Sequence, residues 1–139
     1  MKKQVVLIHG GDTWESYEVY LDYLKKYTIS SFERHALRKG DFQENLAKDL
    51  GNELQVIRPE MPSKRNAKYL EWKIWFEKFF PFLNDEVILV GSSLGGTFLV
   101  KYLSENLFPK KIKAIFLIAA CFDDLPDEPL LDFGLPGNF

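Results

Sequence analysis

The fold class follows from the sequence Val87-Ile88-Leu89-Val90-Gly91-Ser92-Ser93-Leu94-Gly95-Gly96. Its first four residues are apolar and mostly β-branched, which predicts a strand buried on both faces, as in a parallel sheet. The apolar spacing of Phe98, Leu99, Tyr102 and Leu103 predicts a helix over about 94–106. A strand that runs through glycines straight into a helix is a building unit of an α/β fold.

The same alternation of strand and helix is predicted along the rest of the chain. Apolar runs predict further strands at 5–8, 54–57 and 113–120, and helical spacing predicts helices over about 14–27, 42–50 and 67–80. We expect Asp12 or Thr13 to cap the first helix, and Asp41 and Gly51 to bound the second. In the third helix the inward candidates are Leu70, Ile74 and Trp75. Right-handed crossovers then predict a three-layer α/β/α domain with strand order 2-1-3-4.

Length and composition are those of one domain spanning residues 1–139. Eighteen Lys and Arg against twenty Asp and Glu argue against a nucleic-acid binder. The single cysteine, Cys121, cannot form an internal disulfide, and with only two histidines it cannot build a Cys/His zinc site. The apolar run near the N-terminus is too short for a signal peptide or a membrane span, so we expect a cytoplasmic protein without membrane contact.

Gly91-Ser92-Ser93-Leu94-Gly95 matches the pattern G-x-S-x-G, with Ser93 at the nucleophile position between a strand and a helix. In such a turn a strained backbone pushes the serine into the open, and a Cβ at either flanking position would clash with its neighbours. The helix N-terminus behind Ser93 suits a developing oxyanion. The alternatives are a tight turn without chemistry, or Ser92 as the nucleophile one residue earlier.

His9-Gly10-Gly11 follows the first strand, which lies beside the third strand in the predicted order. This places the loop next to Ser93, where the amide of Gly11 or Asp12 and that of Leu94 can act as an oxyanion hole. The alternative is a plain glycine turn. The chain contains neither a phosphate-binding P-loop nor a G-x-G-x-x-G fingerprint, so we expect no cofactor.

The chain resembles the small serine hydrolases of the α/β-hydrolase superfamily. The resemblance lies in the two glycine motifs, in Met61-Pro62 after the second strand and in Ala119-Ala120-x-x-Asp123-Asp124 after the fourth. The most similar type is the retinoblastoma-binding-protein-9-like group. The resemblance covers essentially the whole chain. It implies a carboxylester hydrolase for small acyl substrates, with Ser93 as nucleophile and the amides of Gly11 and Leu94 as oxyanion hole.

A serine hydroxyl needs a base and a carboxylate that orients the base, and in this superfamily both follow the serine. No histidine follows Ser93. Members of the resembled group continue further, so we expect a C-terminally truncated hydrolase core that is inactive by itself. His9 is the other candidate for the base, and His35 is interpreted as a surface residue.

The remaining predicted residues of the site surround these elements. The acidic residues after the fourth strand are interpreted mainly as capping or solvated groups, and Cys121 as an apolar filler. The residues expected to line the site are His9, Gly10, Asp12, Glu60, Ser92 and Asp123; the other acidic residues are Asp124, Asp127, Glu128 and Asp132.

The fourth strand is expected to form an exposed apolar edge that can pair with a second chain. This suggests a homo-oligomer and an alternative function, a non-catalytic protein-interaction module on a hydrolase scaffold. Its contact faces would be the fourth strand and the aromatic helix, whose rings are Trp72, Trp75, Phe76, Phe79 and Phe80.

Overall fold

The computed structural model describes residues 2–31, 42–124 and 129–135. They contain a parallel four-stranded sheet in the order β2-β1-β3-β4. The strands are β1 (Lys3–Ile8), β2 (Leu54–Ile57), β3 (Glu86–Ser92) and β4 (Lys111–Ile118), and the helices are α1 (Tyr17–Lys26), α2 (Phe42–Asp49), α3 (Tyr69–Glu77) and α4 (Leu94–Glu105). The predicted α/β class and strand order are confirmed. The predictions for His35, Asp41, Asp127 and Glu128 fall outside the described residues.

The two faces of the sheet bury different sets of side chains. Alternate residues of β1 and β3 join the large aromatic core that α3 and α4 complete: Val6, Ile8, Val87, Leu89, Trp72, Phe76, Phe98 and Tyr102. The opposite face carries a smaller cluster of Val5, Leu7 and Val90. Because both faces of β1 and β3 are covered, their continuous apolar runs have no solvent side, as expected for central parallel strands.

The inward face of α3 differs from the prediction. Trp72 and Phe76 are buried, whereas Leu70, Ile74 and Trp75 are exposed. The helix is apolar around most of its circumference, so periodicity alone cannot select a face. Packing decides, because the Trp72 and Phe76 rings meet Phe98 edge to face, with ring centroids 5.8 Å and 5.4 Å apart.

The first helix begins later than predicted and has a different cap. Ser16 occupies the N-cap position of α1, and its side chain accepts a hydrogen bond from the amide of Val19 at 3.2 Å. Asp12 cannot start the helix because its backbone is clamped: its N–H donates to the carbonyl of Lys64 at 2.7 Å, and its carbonyl accepts from Ala67 at 2.8 Å. The chain from Asp12 to Ser16 therefore runs outside the helix.

The end of α2 matches the prediction. Gly51 has a φ of 75°, and its N–H donates to the carbonyl of Lys48 at 3.3 Å. This left-handed residue closes the helix as a C-terminal glycine does. Of the predicted inward stripe, Leu46 is half-buried and Leu50 is exposed.

Residues 129–135 pack onto the domain. Leu130 and Phe133 are buried in the aromatic core, and the Phe133 ring meets Trp72 edge to face at 5.2 Å. Asp132 does more than the predicted solvation, because its carboxylate accepts a hydrogen bond from the amide of Tyr69, the first residue of α3, at 2.8 Å. An acidic side chain there satisfies one of the free N–H groups of the helix N-terminus. Within the described ranges no helix is long and apolar enough to cross a membrane.

Candidate functional site

Ser93 lies at the junction of β3 and α4 in an unusual backbone conformation, with φ 52° and ψ −123°. A non-glycine residue with such a φ costs about 1–3 kcal/mol and persists only when its surroundings impose it. A serine at a helix N-cap usually bonds the amides of the first turn, but the Ser93 side chain makes no capping hydrogen bond. Its side chain is exposed instead. The turn therefore presents the hydroxyl to solvent and leaves the helix end uncapped by it.

Close backbone packing imposes this conformation. An ideal Cβ on Gly91 would lie 2.5 Å from the Cα of Gly96, and one on Gly95 would lie 2.5 Å from the carbonyl oxygen of His9. The amide of Ser93 is itself fixed, because it donates to the carbonyl of Ile118 in β4 at 2.8 Å. The predicted need for glycine at both flanking positions is thus confirmed by geometry.

The loop after β1 lies against this turn, as predicted. An ideal Cβ on Gly10 would be 3.2 Å from the Cβ and 3.7 Å from the Oγ of Ser93. The amide of Asp12 is already used by the carbonyl of Lys64, which leaves Gly11 as the candidate donor from this loop. Across the turn, Leu94 is the first residue of α4, and its N–H has no acceptor within the helix.

A cavity of about 340 Å³ opens at this point. Four predicted residues line it, namely Gly11, Asp12, Ser93 and Leu94. The volume lies in the range of small-molecule sites, and the location at the carboxyl ends of β1 and β3, where the direction of winding reverses, is where open α/β sheets bind ligands.

Other lining residues were missed by the sequence analysis. They come from three separate parts of the chain and are Thr13, Trp14, Glu15, Val19, Thr97, Cys121, Pro129 and Leu130. Thr97 and Cys121 are joined by a 2.6 Å hydrogen bond from the threonine hydroxyl to the cysteine carbonyl, and the hydroxyl of Thr13 donates to the carbonyl of Pro129. Only Thr97 had a usable signal, since it lies one turn beyond Ser93 on α4.

His9 faces inward and is fully engaged. Its Nδ1 donates to the carbonyl of Gly10 at 2.5 Å, and its Nε2 accepts the amide of Met61 at 2.9 Å. A carbonyl only accepts and an amide only donates, so the ring is neutral with its proton on Nδ1. The ring is buried and meets Trp72 edge to face at 5.7 Å. His9 therefore connects the loops after β1 and β2, and it has no nitrogen left to accept a proton from Ser93.

The same burial predicts a pH dependence of stability. Burial lowers the pKa of His9, and the positive charges of Arg58 and Lys64 lower it further, against the opposing effects of the Gly10 carbonyl and Glu60. In the unfolded chain His9 therefore binds a proton near pH 6.5, whereas in the folded chain it stays neutral at this pH. The free energy of unfolding should fall as the pH drops below this value, by at most about 1.4 kcal/mol per pH unit.

Urea denaturation at several pH values above about 5, where carboxylates contribute less, measures this slope. The variant His9→Gln should lose most of it, whereas His35→Gln should keep it. An unchanged slope in His9→Gln would contradict the assignment.

The other predicted lining residues do not line the cavity. Ser92 is half-buried in β3, paired with Ile118, while Glu60 and Asp123 are exposed. His9, also predicted to line the site, is buried and accepts a hydrogen bond from the amide of Met61 in the loop after β2. Asp124 has a local role: its carboxylate accepts the amide of Leu130 at 2.7 Å and anchors the segment that lines the cavity.

Within the described residues, the arrangement combines an exposed hydroxyl, two candidate oxyanion donors and a cavity, but no histidine is free to act as the base. The ionisable side chains that line the cavity are Asp12, Glu15 and Cys121, and no histidine is among them. Nor does any group of three or more His, Cys, Asp or Glu in the described part of the chain have the arrangement of a metal site. The geometry can accept and orient a carbonyl compound, but an efficient attack needs a proton acceptor from elsewhere.

Comparison with known proteins does not assign the chain to a family. No protein-family model matches the chain, and no curated protein or solved structure gives a significant match. The described residues show a small α/β fold, and the hydrolase resemblance therefore stays a prediction.

Proposed function

We propose that this chain is the core of a serine hydrolase, in which Ser93 forms an acyl-enzyme with a small ester. The proposal rests on one observation. Ser93 is exposed on the wall of the 340 Å³ cavity, its φ is 52°, and its side chain does not cap the helix that follows. A structural serine at a helix N-terminus would cap the helix in an ordinary conformation. A strained serine held open by close glycine packing is what a nucleophile at a strand-to-helix turn requires.

In the proposed reaction the ester carbonyl lies over Ser93 with its oxygen toward the amides of Gly11 and Leu94. These amides stabilise the negative charge that develops on the oxygen, and the N-terminus of α4 adds its positive dipole end. Trp14, Val19, Leu94 and Leu130 provide apolar surface for the acyl group. The proposed enzyme is cytoplasmic, uses no cofactor and acts on a small acyl substrate.

The missing base sets the expected level of activity. With His9 engaged on both nitrogens and no histidine after Ser93, the chain by itself should be nearly inactive. In a protease with its triad removed, the oxyanion hole and binding alone still give about 10³–10⁴-fold acceleration over water. We expect this chain to resemble such a triad-deficient enzyme.

A fluorophosphonate probe tests the nucleophile and the missing base together. We expect slow labelling of Ser93, with a rate that rises continuously between about pH 6 and pH 9, because hydroxide must remove the proton. Added imidazole should accelerate labelling in proportion to its concentration. Peptide mapping by mass spectrometry locates the adduct.

Two serine variants serve as controls. Ser93→Ala should abolish the adduct, while the neighbouring Ser92→Ala should retain it. A rate that levels off near the ordinary pKa of histidine would reveal a working base and overturn the claim of incompetence. Absence of labelling at high pH with imidazole, in a chain shown to be folded, would overturn Ser93 as nucleophile.

The alternative function is a protein-interaction module on the same scaffold. Two observations favour it: both ring nitrogens of His9 are already hydrogen-bonded, and β4 carries exposed apolar residues. The aromatic helix contributes less to it than predicted, because Trp72 and Phe76 are buried in the core. Labelling of Ser93 that imidazole accelerates would favour the hydrolase core over this alternative.

A further inference from the structure

The outer edge of β4 is open and apolar. β4 is the last strand of the sheet, and within residues 2–31, 42–124 and 129–135 no other strand pairs with its outer side. Its second half carries four consecutive exposed apolar side chains, Ile115, Phe116, Leu117 and Ile118, with Phe116 56% exposed. Such an edge offers unpaired N–H and C=O groups between apolar side chains, which favours pairing with another strand.

The two halves of β4 differ in features that discourage pairing with another strand. The register to β3 shifts at Val87/Ile88, where Ile112 and Ala114 face consecutive residues and Lys113 is left as the extra residue of a bulge. Bulges and lysines are devices that discourage edge pairing. Neither occurs from Ala114 to Ile118, so the second half is the part of the edge that favours pairing.

Both faces of this half are apolar. Ile115 pairs with Leu89 and Phe116 with Val90, and neighbouring parallel strands place paired residues on the same face. Ile115 and Leu117 thus lie on the α4 side of the sheet, and Phe116 and Ile118 lie on the other. A strand docked here is able to bury side chains on both faces.

We propose that the occupant is β4 of a second copy of this chain, paired antiparallel about a two-fold axis through Phe116. In this register Phe116 faces itself, Ile115 faces Leu117 of the second copy, and Ala114 faces Ile118 of the second copy. In this register each of the five residues 114–118 lies opposite one of the same five residues in the second copy. Such an isologous contact closes after two copies.

Charge favours the antiparallel direction. Lys111 and Lys113 lie at the start of β4, and Asp123 and Asp124 follow its end. Antiparallel pairing brings the basic end of one copy toward the acidic end of the other. Parallel pairing would place like charges side by side, which is unfavourable. This inference is independent of the chemistry proposed for Ser93.

Sedimentation velocity over a wide concentration range tests the dimer. We expect a reversible monomer–dimer equilibrium, and Phe116→Lys should raise its dissociation constant about 30-fold, the effect of losing a central interface contact. The control is Phe82→Lys, since Phe82 is 77% exposed and its carbonyl accepts a hydrogen bond from the side chain of Gln4 in β1; the dissociation constant of this variant should not change. A chain that stays monomeric throughout, or equal weakening by both substitutions, would overturn the proposal.

Cross-linking tests the register. In a Cys121→Ser background, Phe116→Cys should form a disulfide-linked dimer with oxidised glutathione, because antiparallel partners directly opposite each other have Cα atoms about 4.5–5.5 Å apart. Leu117→Cys is the matched control, since residue 117 faces residue 115 and its own copy lies diagonally, too far for an efficient disulfide. Equal cross-linking of the two variants would show that this register is wrong.

Discussion

Replacing Gly95 by alanine is expected to destabilise the protein by about 3 kcal/mol, a large fraction of the total stability of a small domain. The added Cβ would overlap the carbonyl oxygens of Ile8 and His9, which are main-chain atoms of β1 and its loop. Neither a strand nor the N-terminus of α4 can move without breaking the sheet or the turn at Ser93. Chemical denaturation followed by circular dichroism measures the loss.

The direction of this effect is informative. Inside a helix, glycine to alanine normally stabilises by about 1 kcal/mol, so helix propensity predicts the opposite sign. Gly51→Ala is the control, because nothing lies within 4 Å of its Cβ position and only its φ of 75° opposes the change. That variant should lose about 1 kcal/mol. A Gly95→Ala protein as stable as the parent would disprove the close approach of α4 to β1.

Truncating Trp72 to alanine should cost about 4 kcal/mol. The ring is completely buried, contacts His9, Phe98 and Phe133 edge to face, and donates from Nε1 to the carbonyl of Pro62 at 2.8 Å. It also supports the site, because an ideal Cβ on Gly11 would lie 3.0 Å from this ring. The variant should therefore lose labelling of Ser93 as well as stability.

Trp75→Ala on the same helix is the matched control. Trp75 is 42% exposed, so its truncation should cost less than about 1 kcal/mol and leave labelling unchanged. Urea unfolding of the two variants side by side measures both values. Equal losses would contradict the burial of Trp72 and the exposure of Trp75, and a larger loss for Trp75→Ala would mean that α3 presents the face that the sequence spacing favoured.

The sheet was predictable because its signals are local and strong. Continuous apolar runs such as the one ending at Ile8 have one stable environment, the centre of a parallel sheet, and crossover handedness limits the strand order. The turn at Ser93 was predictable for a related reason. Glycines before and after a serine between strand and helix have few other structural uses.

The helix faces and caps were less predictable because they depend on distant partners. Asp12, Thr13 and Ser16 are all acceptable caps by residue type, and only the clamp between Asp12 and Lys64 excludes the first of them. The capping of α3 by Asp132 joins residues 63 positions apart. No local pattern encodes such a contact.

In the candidate site, short stretches of contiguous residues are enough to predict the position of Ser93 and the neighbouring glycine loop, and the printed residues after Ser93 include no histidine. The other features of the site depend on contacts between distant residues. Tertiary contacts bond both nitrogens of His9, assemble the cavity from three separate segments, and leave the second half of β4 uncovered by the residues that the structure describes. These features arise from contacts between residues far apart in the chain, whose geometry is set by packing rather than by spacing.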